Sequence, residues 1–175
     1  MEKGGRYSLN VIGAGGIGSW LMHALVRPAR RFADANKAHL HIRIYDSDKV
    51  DESNVHHQNF TPTDVGMKKV EALFEQLSGF NGGNLTLEAC PWDVRTEDDF
   101  QMADLTIVAI DSPDCRALVA SSSKAGKWAI CTCAGDSFLF LTEDSADSAI
   151  SMVTQPNQGA ASCQLPGAIS GGRIE

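Results

Sequence analysis

The sequence predicts an α/β fold, a doubly wound, mostly parallel sheet with helices on both faces. Three observations carry this. Short apolar runs alternate with segments of helical spacing along most of the 175 residues, as in a series of βαβ units. A glycine-rich turn, Gly13-Ala14-Gly15-Gly16-Ile17-Gly18, joins the first run to the first helical segment. Leu105 to Ile110 is an almost continuous apolar run, the signature of a strand covered on both faces.

Each element has its own justification. Ser8 to Ile12 is a short buried strand. From Ile17 to about Asp34, Ile17, Trp20, Leu21, Ala24 and Leu25 recur at helical spacing, and Pro28 should kink or end that helix early. His39 to Tyr45 alternates and forms a second strand. Lys68 to Leu77 is helical with Val70, Leu73, Phe74 and Leu77 on one face, and Ser78-Gly79 and Asn81-Gly82-Gly83 stop it. Leu85 to Cys90 is the third strand and Leu105 to Ile110 the fourth. Pro113 to Lys124 is a helix opening after Asp111-Ser112. Trp128 to Cys133 and Phe138 to Thr142 are further strands. From about Ser145 to residue 175 the chain turns polar and glycine-rich and is expected to wrap the surface or move.

The bulk numbers fit one domain spanning 1–175. A hydrophobic content of 43% supports a real core, and a net charge of −7 with no basic run argues against nucleic acid as a main partner. No window reaches the roughly 18 apolar residues of a membrane span. Glycines interrupt the N-terminus at once, so no signal peptide is expected and the cytoplasm is the default. Five cysteines, Cys90, Cys115, Cys131, Cys133 and Cys163, form no Cys-x-x-Cys pair and are expected to be reduced and structural.

Ligands on open parallel sheets bind beyond the carboxyl ends of the strands. Gly13, Asp46 and Asp111 each follow a predicted strand directly, so all three fall on one edge. The loop Gly13 to Gly18 suits a nucleotide, with a helix N-terminus behind it that favours anions. Asp46 can accept both ribose hydroxyls of a nucleotide, NAD or ATP alike. Asp48 reads more naturally as a loop or capping residue. Lys69 opens a helix, where a lysine is usually solvated, and Asp111 with Asp114 could simply cap the helix that follows. Magnesium typically takes one or two carboxylates plus substrate phosphates, so Asp111 could also serve a metal.

The order of motifs is more specific than any one of them. Glycine loop, Asp46-x-Asp48-x-Val50, Asn54-Val55-x-x-Gln58, Gly66-x-x-Lys69 and Asp111-x-x-x-x-Arg116 together resemble the ThiF/MoeB/HesA family, the ubiquitin-activating-enzyme-like adenylyltransferases, from about Leu9 to Cys133. The resemblance implies a Rossmann-like domain that binds ATP and magnesium. It implies adenylation of the C-terminal carboxylate of a ubiquitin-like or sulfur-carrier protein, or of a peptide, with release of pyrophosphate, and a homodimer. By position it assigns Gly13, Gly15, Gly16 and Gly18 to the nucleotide and Asp46 to the ribose, with Asp48 beside it. Asn54, Gln58 and Lys69 go to the phosphates and Asp111 to magnesium and the reacting phosphate. His57 stands where the family usually has arginine and is a conditional cation. Cys163 falls near where some members carry a thioester cysteine or zinc ligand, but no basic surroundings mark an activated thiol, so a structural or incidental role is expected. The short N-terminal segment and the lack of zinc cysteines after Cys163 leave a divergent member, a truncated chain and one half of a split system all open. Two other functions compete. An NAD-dependent oxidoreductase explains the glycines and Asp46 but leaves Asn54, Gln58, Lys69 and Asp111 idle. A non-catalytic partner subunit would keep the fold alone.

Overall fold

The computed structural model describes residues 4–134 and 137–155. Six strands form one sheet in the order β3-β2-β1-β4-β5-β6. The strands are β1 (Arg6–Ile12), β2 (His39–Tyr45), β3 (Leu85–Cys90), β4 (Leu105–Val108), β5 (Lys127–Ala134) and β6 (Ser137–Thr142). β1 through β5 pair in parallel, and β6 returns antiparallel to β5. The helices are α1 (Gly16–Asn36), α2 (Lys69–Leu77), α3 (Pro113–Ser121) and α4 (Asp147–Thr154). The predicted α/β architecture is therefore the observed one.

The strand period of two divides the core into two layers. Val11, Ile42, Ile44, Leu85 and Leu87 pack with Met22 and Val26 of α1 and Val70 and Leu73 of α2. Their strand neighbours Ile12 and Tyr45 join Val108 and Ile130, with Val119 of α3 and Val153 of α4, on the opposite face. Helices cover both faces, as a doubly wound sheet requires. None among the described residues is long and apolar enough to cross a membrane.

Three expectations need correction. Pro28 does not end α1 early: the helix runs on to Asn36. Pro28 and Ala24, whose carbonyl loses its helical partner, are both exposed, so water can take that bond. Buried Val26, Ala29 and Ala33 meanwhile hold the flanking turns to the sheet. The buried face of α1 is only partly the expected one, since Leu21 and Leu25 pack half-buried against the core beside it. Gly18, Ser19, Met22, Val26, Ala29 and Ala33 face inward, while Trp20 is 57% exposed. Small residues let this helix lie close to the strands, and the count of apolar residues passed over Gly18 and Ser19 in favour of a neighbouring stripe. Third, the segment after Ser145 is not irregular from its start, because α4 folds there and buries Val153. Residues 156–175, including Cys163, lie outside the described residues.

Several helix bounds have local causes. α3 stops at Ser121 rather than Lys124 because Ser122 turns extended and its hydroxyl accepts the Lys124 amide, starting a separate turn. α3 begins with Ser122's counterpart at the other end: Ser112 accepts the Cys115 amide at 3.3 Å, and Pro113 sits at the first helical position. Neither Asp111 nor Asp114 is the cap.

Candidate functional site

The glycine loop is shaped by two contacts that only glycine permits. Gly13 has φ of +103°, and a Cβ there would lie 2.5 Å from the Ala109 carbonyl oxygen. A Cβ on Gly18 would lie 1.9 Å from the Gly13 carbonyl oxygen, so α1 seats directly under the loop. Gly15, by contrast, faces open space. The loop is tied into the sheet where Gly13 N–H donates to the Tyr45 carbonyl at 2.8 Å and Ala109 N–H to the Ile12 carbonyl at 2.8 Å.

Above this edge lies a cleft of about 790 Å³ lined by Gly13, Gly15, Gly16, Asp46, Asp48, Lys69 and Asp111, with Trp92, Asp93 and Val94 on another wall. A second, polar cleft of about 560 Å³ is lined by Asp48, Lys49, Asp51, Ser53, Asn54, His57 and Lys69. Asp48 and Lys69 line both and form the partition between them. The fold thus gathers most of the sequence-predicted residues. Gly18 lies buried beneath the loop and Gln58 lines neither cleft.

Asp46, at the end of β2, accepts Ala14 N–H at 2.7 Å and Asp48 N–H at 2.8 Å, so it fixes the loop on either side. Its burial holds the carboxyl above the usual carboxylate range, against the pull of those two amides and of Lys69. A raised carboxyl favours the folded state when protonated, and that contribution is lost as pH rises through the folded value. Asp46→Asn should therefore gain stability relative to the parent protein as pH rises through the carboxylate range. Any offset from an altered hydrogen bond stays constant with pH, so the slope isolates the titration. Thermal unfolding of both proteins from about pH 3.5 to 7 measures it, and a parent protein that instead gains on the variant contradicts the assignment.

Lys69 opens α2 but is only 3% exposed, not solvated as its position suggested. Its Nζ donates to Asp48 at 2.9 Å, and its backbone N–H donates to the Asp48 carbonyl at 2.9 Å. Asp48 is a loop residue, as read, and its carboxylate has a further task the sequence did not show: it orients this lysine. Asn54 is 5% exposed, and its side-chain oxygen accepts Asp51 N–H at 3.2 Å. Buried polar atoms normally find partners, yet His57 Nε2 and both amide atoms of Gln58 have none among the described residues. Asp111 is exposed on the rim of the first cleft.

The sequence reasoning missed the wall formed by Trp92, Asp93 and Val94. The signal was available, because they follow β3 and so fall on the same carboxyl edge as Gly13 and Asp46. The cysteines largely match expectation. Cys90, Cys115 and Cys131 are buried free thiols, and burial pushes Cys90 up to about 12 and Cys115 up to about 11, which leaves them inert as nucleophiles. Cys133 departs from it, being disulfide-bonded rather than reduced.

The ThiF family model matches residues 1–170. The chain belongs to the ThiF family. Among curated relatives it is 32% identical over 95 residues to ubiquitin-like modifier-activating enzyme 5 of Oryza sativa subsp. japonica, covering 54% of this chain and 20% of that one. Among solved structures it resembles the E. coli tRNA N6-threonylcarbamoyladenosine dehydratase TcdA in complex with ATP. There the TM-score is 0.59 and the identity 26%, with 75% of this chain and 53% of the other covered. E. coli MccB with AMPCPP and selenomethionyl MccA shares the fold, with a TM-score of 0.55 and 18% identity over 77% of this chain and 39% of that one. The ThiF chain described here thus spans about a fifth of its curated relative and about half of TcdA.

Proposed function

We propose that this ThiF domain binds ATP with magnesium and adenylates the C-terminal carboxylate of a ubiquitin-like or sulfur-carrier protein, or of a peptide. The observation that carries the reading is the second cleft. A dinucleotide needs the glycine loop and one acid, and has no use for a polar chamber behind a buried lysine. A triphosphate does: its outer phosphates can pass Lys69 toward Asn54 and His57. His57 Nε2 lines that cleft and has no partner among the described residues, which leaves it free to donate to a phosphate when it carries a proton.

The electrostatics support a metal-bound triphosphate. Among the residues lining the first cleft, Asp46, Asp48, Asp93 and Asp111 outnumber the single cation Lys69, so a bare triphosphate would meet net negative charge. No cluster of three or more metal-type side chains exists among the described residues. Asp111 with the substrate's own phosphates is the donor set that fits magnesium. Bound there, the ion would neutralise phosphate charge. In the reaction a carboxylate oxygen of the carrier attacks the α-phosphorus and forms the new O–P bond. The bond to the bridging oxygen breaks, and pyrophosphate leaves with that electron pair. The residues contribute positioning and charge: Asp46 on the ribose, the glycine loop and Lys69 on phosphates, His57 as a cation when protonated. A homodimer belongs to the same reading and rests on the family resemblance alone.

Calorimetry tests the cofactor. ATP with magnesium should give binding heat and NAD none, and with a carrier ending in Gly-Gly the protein should exchange labelled pyrophosphate into ATP. NAD heat without ATP heat overturns the reading and restores the oxidoreductase.

A further inference from the structure

We propose that Trp92 is the base-stacking wall of the nucleotide cleft. The proposal rests on the reading of the cleft as an ATP site and names the residue that recognises the base.

A planar base needs an apolar face open to it. Among the side chains lining the cleft, Ile12, Tyr45, Val94 and Cys131 are buried within the core, and Ile17 and Ile110 are half-buried and offer no flat face. Trp92 is the large apolar side chain on that lining that remains open, with 44% of its surface exposed. Its place in the sheet order suits the task. β3 lies beside β2, so the residues after Cys90 stand next to Asp46 at the end of β2. A ribose held at Asp46, with its phosphates running to the glycine loop and Lys69, leaves its base to the remaining walls, of which the Trp92 segment is one.

The indole is also fixed in advance. Trp92 Nε1 donates to the Asp99 carbonyl at 2.8 Å. The Asp99 carboxylate in turn accepts Arg95 N–H at 3.0 Å, Thr96 N–H at 2.7 Å and the Thr96 hydroxyl at 2.9 Å, closing the loop into a rigid turn. The buried Tyr45 ring meets the indole edge-on, 6.0 Å between centroids at 76°. Asp93, next in sequence, is anchored by the Ser47 hydroxyl and by Arg95 at 2.6 Å. Exposed Trp20 and Phe138 line neither cleft. An aromatic side chain that is pinned by its own hydrogen bond, backed by a second ring and still open on a cleft is a platform for stacking rather than a stray surface residue.

The test compares ATP with inorganic tripolyphosphate, both with magnesium, by calorimetry on the full chain and on Trp92→Ala and Trp92→Phe, with thermal unfolding as the check on folding. Trp92→Ala should lose about fivefold or more in ATP affinity while tripolyphosphate stays within about twofold, and Trp92→Phe should keep most of the ATP affinity. ATP should also quench tryptophan emission where tripolyphosphate does not, and Trp92→Phe should abolish that difference, a readout that stands if Trp92→Ala does not fold. Parallel loss of both ligands, or ATP affinity unchanged in Trp92→Ala, overturns the role of Trp92 and leaves the ATP reading intact. Absence of ATP heat in the unaltered protein overturns both.

Discussion

Replacing Lys69 by methionine should abolish most adenylation while the protein still folds. Methionine keeps the length and apolar stem of the side chain and removes only the ammonium. Lys69 is the single cation among the residues lining the first cleft, and it lies on the partition with the second. In the proposed reaction negative charge builds on the α-phosphate as the carboxylate attacks, and Lys69, 3% exposed and held by Asp48, is a fixed cation placed to meet it. Losing one such stabiliser costs about 100- to 1,000-fold in turnover. The folding cost should be small by comparison, because the partner released, Asp48, has a side chain 61% exposed that can return to water. Pyrophosphate exchange and thermal unfolding on the same samples separate the two effects. Asp48→Asn should act in the same direction more weakly, since the lysine stays but loses its orienting carboxylate. Exchange within about threefold of the unaltered protein in Lys69→Met would remove the lysine from the chemistry and leave it an element of packing alone.

What could be read from the sequence divides along physical lines. Strands such as β1 and β4 were legible because burial on both faces leaves near-continuous apolar runs and β2 because its apolar residues alternate, and Val11, Val108 and Ile44 sit where those patterns placed them. The sheet edge was legible for the same reason: strand ends fix where Gly13, Asp46 and Asp111 must emerge. Helix faces were harder. α1 packs through Gly18, Ser19, Ala29 and Ala33 as much as through Met22 and Val26, and small residues carry little weight in a hydrophobic count. Burial of polar groups was not legible at all. Lys69 looks like any helix-opening lysine until the loop from Asp46 to Gly66 folds over it and the Asp48 backbone and carboxylate both take hold of it. Trp92 was overlooked because no periodic pattern surrounds Pro91-Trp92-Asp93, and its role depends on a turn closed by Asp99, seven residues on. Roles for Asn54, His57, Gln58 and Asp111 come from motif order, and the fold adds only that Asn54 and His57 share a cleft while Asp111 stands on the rim of its neighbour.

The largest loss of stability should follow from Arg116, a residue that the motif order includes and to which no task was given. It is 4% exposed. Its Nε donates to the Ile110 carbonyl at 3.0 Å, Nη1 to the Val153 carbonyl at 3.3 Å and Nη2 to the Thr132 hydroxyl at 2.9 Å. One planar fork therefore ties together the end of β4, the end of α4 and β5, which few side chains but arginine can span. Burial pulls its pKa below the usual arginine value, and Asp111 offsets part of that; arginine's ordinary value is high enough that the group stays charged. Arg116→Met should cost about 3–5 kcal/mol, because one buried and one part-buried carbonyl lose their donor and the side chain repacks imperfectly. That is a large share of the roughly 5–15 kcal/mol available to a domain. Arg116→Lys should recover only part, since one ammonium cannot reach three acceptors held apart by a guanidinium. Urea unfolding midpoints for the three proteins measure the effect. Function should suffer along with stability. Ile110 immediately precedes Asp111, so releasing its carbonyl frees the rim of the cleft, and releasing Val153 frees α4 from the face behind it. Unfolding free energies for Arg116→Met that match the unaltered protein within about 0.5 kcal/mol would show that the fork is dispensable and that α4 is held by its apolar contacts alone.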